Sequence, residues 1–189
     1  MLIAVVPVKS MDLAKSRLSG VLNATGRRAL ARQMLDHVLD TLHQAGIKSV
    51  NVEGGDDLNR DAALAAHRAQ AAGATELLWV MADLPYLAVE DIAAMIEASR
   101  HTPPGSRAVV IAEAKDGGTN ALLLRPPTAI GFAFSSSQPS GALHAAEARA
   151  KGIEPAILKR PGLARDIDTP ADLALLAEHA AYRSYANVA

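Results

Sequence analysis

The chain has 189 residues, half of them apolar but only 3% aromatic, a net charge of −1 and no cysteine. That length and composition suit one aliphatic core, so residues 1–189 are expected to form a single domain. Near-neutrality argues against the broad basic face of a general nucleic-acid or membrane-surface binder, and the missing cysteines exclude disulfides, thiolate metal sites and a cysteine nucleophile. No apolar run approaches the ~20 residues of a membrane span, and the opening MLIAVVPVKS lacks a charged leader, so a soluble cytoplasmic protein is expected.

The first apolar run, 2–6, predicts a buried strand that stops at Pro7. Residues 25–45 predict a helix: Leu30, Met34 and Val38 recur at i, i+4, i+8, with Leu35, Leu39 and Leu42 beside them, and Gly46 stops it. A short strand at 49–52 and an Ala-rich helix over 58–72 follow. LLWVMA, 77–82, reads as a central parallel strand covered on both faces. A helix over 89–99 precedes two strands, 108–112 and 120–124, around the loop EAKDGGT. A helix over 140–151 and a short strand at 154–158 come next. The last helix opens at DTPADL, with Thr169 as N-cap, Pro170 at N1 and Asp172 at N3.

This alternation predicts an α/β fold: three layers, α/β/α, around a mostly parallel sheet. Ligands of such sheets lie beyond the carboxyl ends of the strands, which directs attention to the loops 7–18, 53–59, 83–87, 113–119 and 161–169. The first carries Lys9, Lys15 and Arg17, able to neutralise a triphosphate and a leaving pyrophosphate, although no glycine-rich phosphate loop is present. The plainer reading of these cations is solvated loop charge. Asp83 follows the most apolar strand and suits a hard, oxygen-seeking Mg²⁺; Glu90 and Asp91 already serve the first turn of the next helix. Asp166 and Asp168 are not needed to start the last helix. At i, i+2 spacing in an extended segment they point the same way, and with Asp83 they would hold Mg²⁺ against phosphates. Thr119 and Asn120 add polar groups at a Gly-rich turn. SSSQPSGALH offers hydroxyls and a helix start to an anion, or else forms a surface loop capped by Ser140. The six histidines show no metal-ligand spacing and read mostly as helix-surface residues.

VPVK…AKSRL, DLN (57–59), ADLP (82–85), GGTNALLL (117–124) and DIDTPADL (166–173), in this order, resemble the 2-phospho-L-lactate guanylyltransferase family of coenzyme F-420 biosynthesis. The resemblance runs from about residue 3 to 177. It implies a nucleotide-diphospho-sugar transferase-like, Rossmann-like fold and an enzyme that joins GTP to 2-phospholactate, phosphoenolpyruvate or 3-phosphoglycerate, releasing pyrophosphate. By the same resemblance Lys9, Lys15 and Arg17 wrap the triphosphate, and Asp83 and Asp166 bind metal with Asp168 beside them. Asn59 lies near the nucleoside, while Thr119 and Ser140 contact the phospho-acid. The sequence departs from the family in two places. Ser137 stands where a glycine is usual; with Ser135, Ser136 and Ser140 it makes the loop hydroxyl-rich, which points to acceptance of 3-phosphoglycerate. Between Gly46 and Gly54 only about seven residues replace a strand, a helix and a strand. A cytidylyl- or molybdopterin-type nucleotidyltransferase, or a non-catalytic GTP-binding module, is the alternative, and a homodimer is left open.

Overall fold

The computed structural model describes residues 1–8, 15–55, 57–103 and 105–188; Lys9 lies outside them. Six strands form one sheet in the order β2-β1-β3-β5-β4-β6. The strands are β1 (Leu2–Val8), β2 (Val50–Gly54), β3 (Glu76–Val80), β4 (Ala108–Glu113), β5 (Thr119–Arg125) and β6 (Ala156–Leu158). β1 pairs in parallel with β2 and β3, and β4 with β6, while β5 runs antiparallel between β3 and β4. The sheet is thus mostly parallel with one reversed strand. The short EAKDGGT loop requires that reversal, because a parallel crossover needs a dozen residues or more.

The helices are α1 (Ala24–Gln44), α2 (Leu58–Ala71), α3 (Val89–Arg100), α4 (Ser140–Ala150) and α5 (Pro170–Ala177). Side chains alternate across the sheet with period two. Ala4, Val6, Leu78, Val80, Val110 and Leu123 face Leu35, Val38 and Leu42 of α1 and Ile92 and Met95 of α3. Ile3, Val5, Leu77, Trp79, Ile111 and Leu122 face the alanines of α2 (Ala62, Ala65, Ala66, Ala69) and of α4 (Ala145, Ala148). Both faces of the central strands are therefore covered, which explains why LLWVMA carries no polar residue.

β1 continues two residues past the sequence expectation, through Pro7. Its pairing with β3 ends at Val5, so beyond that point only β2 borders it, and a residue without an N–H is tolerated there. β2 follows α1 after five residues and forms the edge of the sheet, so four of the seven residues between Gly46 and Gly54 belong to the strand itself. Among the described residues no helix is long and apolar enough to cross a membrane.

Candidate active site

A third apolar cluster builds the site. Leu18 lies in a short 3-10 turn (Ser16–Leu18) and is fully buried with Leu30 and Met34 of α1, Ile167, and Leu173 and Leu176 of α5. Burying Leu18 brings its neighbours Lys15 and Arg17 against the segment before α5. Burying Ile167 turns Asp166 and Asp168 the other way, as alternation along an extended chain demands. The capping box of α5 holds that segment: Thr169 Oγ1 accepts from the Asp172 N–H at 3.3 Å, and the Asp172 carboxylate accepts from the Thr169 N–H at 2.8 Å.

The Lys15 ammonium donates to Asp83 at 2.5 Å and to Asp168 at 3.1 Å, and Arg17 donates to Asp168 at 3.0 Å. Only 7% of the Lys15 side chain is exposed. Its backbone is left-handed, φ 54°, a conformation that costs a non-glycine residue about 1–3 kcal/mol and is kept where the surroundings over-determine it. Burial alone would lower the Lys15 pKa, but the charges of Asp83 and Asp168 outweigh it and raise it. Asp83 lies beyond β3 and is not used by α3, whose first turn is closed by the Asp91 carboxylate on the Ala88 N–H.

Asp83, Asp166 and Asp168 each offer an oxygen within 4.8 Å of the others. Burial, then the charges of Asp83 and Asp168, push the Asp166 pKa up to about 6. Three converging carboxylates, costly to each other, form a donor set that fits a hard divalent cation. These five charged residues line a cavity of about 400 Å³ at the carboxyl ends of β1, β2 and β3. Its remaining wall includes Pro7, Gly55, Leu58, Met81, Met34 and Asp61. Asp61 has no local sequence signal, since nothing in its surroundings along the chain separates it from an ordinary first-turn acid.

The other expected site residues gather beside this cavity rather than on its wall. The Asn59 amide donates to the Phe134 carbonyl at 2.9 Å and accepts from the Phe134 N–H at 2.7 Å, fastening the 132–139 segment to α2. Thr119, Ser140 and His144 form a buried network. Ser140 Oγ donates to Thr119 Oγ1 at 3.2 Å, and His144 Nδ1 lies 2.9 Å from the same oxygen. The Ala133 N–H donates to His144 Nε2 at 2.9 Å, so the neutral ring carries its proton on Nδ1 and donates to Thr119. Two sequence expectations change here. His144 is fully buried, not a helix-surface residue, because α4 presses it against the start of β5. Ser140 does not cap α4; Pro139 holds the cap position, and close approach of Gly141 to the Gly117 carbonyl turns Ser140 toward Thr119. Ser137 is exposed, with its hydroxyl 3.2 Å from that of Ser135.

Known proteins share this architecture. A putative nucleotide-diphospho-sugar transferase from Desulfovibrio desulfuricans G20 superposes with a TM-score of 0.75 at 16% identity, covering 96% of this chain and 92% of that one. A CMP:2-keto-3-deoxy-manno-octonic acid synthetase complexed with CTP gives 0.58 at 16% identity, covering 94% and 98%. In sequence, a phosphoenolpyruvate guanylyltransferase of Sphaerobacter thermophilus is 38% identical over 94% of this chain and 93% of its own length. The enzyme of the same name from Rubrobacter xylanophilus is 37% identical over 92% of each. A 2-phospho-L-lactate guanylyltransferase of Methanothrix thermoacetophila is 34% identical over 89% of this chain and 80% of its own. The family model described as "Guanylyl transferase CofC like" matches residues 2–186, and with the nucleotidyltransferase-like fold and the acid-lined cavity already in place, the chain belongs to the CofC-like guanylyltransferase family.

Proposed function

We propose that this protein transfers GMP from GTP to a three-carbon phospho-acid with release of pyrophosphate, a step of coenzyme F-420 biosynthesis. The observation that carries the reading is the meeting of Lys15 and Arg17 with Asp83, Asp166 and Asp168 in one cavity. A phosphate oxygen of the acceptor attacks the α-phosphorus of GTP, an α-phosphate P–O bond forms, and the bond to the bridging oxygen of the β-phosphate breaks. A phosphate is already a nucleophile, so no strong general base is needed and the residues act by positioning and charge. Lys15 and Arg17 offset the charge that develops on the departing pyrophosphate, helped by Lys9. Asp83, Asp166 and Asp168 would hold Mg²⁺, which when bound supplies positive charge to the phosphates.

Asn59 fixes the wall beside the nucleoside through its grip on Phe134. Thr119 and Ser140 face the acid; Thr119 Oγ1 already accepts from His144 and Ser140, so its own proton is free to be donated to an anion. The two bacterial relatives described above are named for phosphoenolpyruvate, which makes it the first acceptor to try. The hydroxyl-rich loop around Ser137 is the argument for 3-phosphoglycerate. The test is pyrophosphate release from GTP, CTP and ATP with each of the three acids, with Mg²⁺ and with EDTA. Release confined to GTP, an acid and the metal together supports the reading; release with CTP instead, or with none, overturns it.

A further inference from the structure

One carboxylate in the cavity has no part in the phosphate chemistry. Asp61 lines the cavity but is not among the three acids that converge there. It sits in the first turn of α2, yet that turn is already capped by Asp57, whose carboxylate accepts from the Asn59 and Arg60 N–H groups at 3.1 Å each. Among the described residues the Asp61 carboxylate has neither a hydrogen-bond nor an ion-pair partner. It rests against the backbone of Gly55, where any Cβ would overlap its oxygens. The glycine leaves room for that carboxylate at the end of β2.

Its position is informative. Gly55 follows Gly54, which pairs with Val8, so Asp61 stands on the β2 side of β1. Asp83 follows β3, on the other side of β1. Two strand spacings, about 10 Å, separate those ends, a span suited to a base at one end and phosphates at the other. The lining of the same cavity includes the apolar Pro7, Leu58 and Met81, surfaces on which a flat ring can lie between the two ends.

We propose that Asp61 selects guanine, its two carboxylate oxygens accepting the N1–H and the 2-amino group of the base. This rests on the guanylyl-transfer reading above and extends it to the choice of base. Guanine alone among the common bases presents two adjacent donors on one edge, which a carboxylate meets as a fork. Adenine and cytosine set an acceptor beside their amino group, and uracil flanks its single N–H with carbonyls; each would face the carboxylate with lone pairs.

The test measures binding as well as turnover, in the full-length protein, with GTP, ITP, XTP and CTP. ITP lacks the 2-amino donor, so wild type should bind it about tenfold more weakly than GTP. Asp61→Asn is nearly isosteric. It replaces one acceptor by an amide donor, so GTP affinity and kcat/KM should fall about 10- to 100-fold while XTP, which has a carbonyl at C2, gains. Gly55→Ala, at a backbone that alanine can adopt, should displace the carboxylate and weaken GTP without the gain for XTP. Equal affinity of wild type for GTP and ITP, or an unchanged GTP:XTP ratio in Asp61→Asn, overturns the assignment. Selective GTP binding that switches in Asp61→Asn, without pyrophosphate release in wild type, keeps Asp61 as the base reader and removes the catalytic reading. A wild type that prefers CTP removes both.

Discussion

The Lys15 ammonium lies 2.5 Å from the Asp83 carboxylate although 68 residues separate them. It also reaches Asp168, so one nearly buried cation holds together the loop after β1, the end of β3 and the segment before α5. Such a lysine neutralises the acids and, on the proposed reading, would face the phosphates when a nucleotide enters. Lys15→Ala should therefore weaken GTP binding ten- to a hundredfold and GMP binding far less, because only GTP carries the outer phosphates. Calorimetric titration of both nucleotides decides it; equal weakening would show that Lys15 does not read those phosphates.

The three carboxylates repel one another, and the proposed metal site requires them to stay together. Asp166→Asn removes one of the converging charges and should raise the melting temperature of the metal-free protein while lowering pyrophosphate release at least tenfold. Asp83→Asn should likewise abolish most turnover and leave the fold intact. Thermal melts in EDTA alongside the release assay check both; a variant that keeps full turnover removes that residue from the metal site.

His144 predicts a pH dependence of stability. Burial lowers its pKa from 6.5 to about 4, so the native state resists taking up a proton that the unfolded chain accepts. Its contribution is complete above pH 6.5 and is lost as the pH falls through 4. At roughly 1.4 kcal/mol per pKa unit the full effect is about 3 kcal/mol. Denaturant midpoints between pH 7 and 4 should fall steeply in wild type and more gently in His144→Gln. Parallel pH profiles of the two proteins would contradict the assignment of the neutral ring.

The acceptor can be settled by competition. With phosphoenolpyruvate, 2-phospholactate and 3-phosphoglycerate present together, product ratios report relative kcat/KM. If Ser137 meets the C2 hydroxyl of 3-phosphoglycerate, Ser137→Gly should reduce use of that acid about 10-fold and spare the other two. Ser137 is exposed and bonded to Ser135, so unchanged ratios would assign it to the surface of the loop.

The sequence by itself determined the elements and singled out most of the charged residues that meet in the candidate site. Runs such as LLWVMA and the 3.6-residue rhythm of Leu30, Met34 and Val38 are local signals, and α1, β3 and the capped start of α5 fall within a residue or two of them. Asp83 stood out at the end of an apolar strand and the Asp166–Asp168 pair just before a helix whose start uses neither of them. Tertiary structure decided what touches what. Lys15 and Arg17 meet Asp168 only because Leu18 and Ile167 are buried in one apolar cluster, a pairing across some 150 residues that no local pattern encodes. His144 reads as a surface residue along α4 until the start of β5 is packed against it. Asp61 looks like any first-turn acid until Gly55, on a neighbouring loop, makes room for its carboxylate at the wall of a cavity. Long-range burial and strand order supply those neighbours, and the free energy of a polar group is set by its neighbours rather than by its place in the chain.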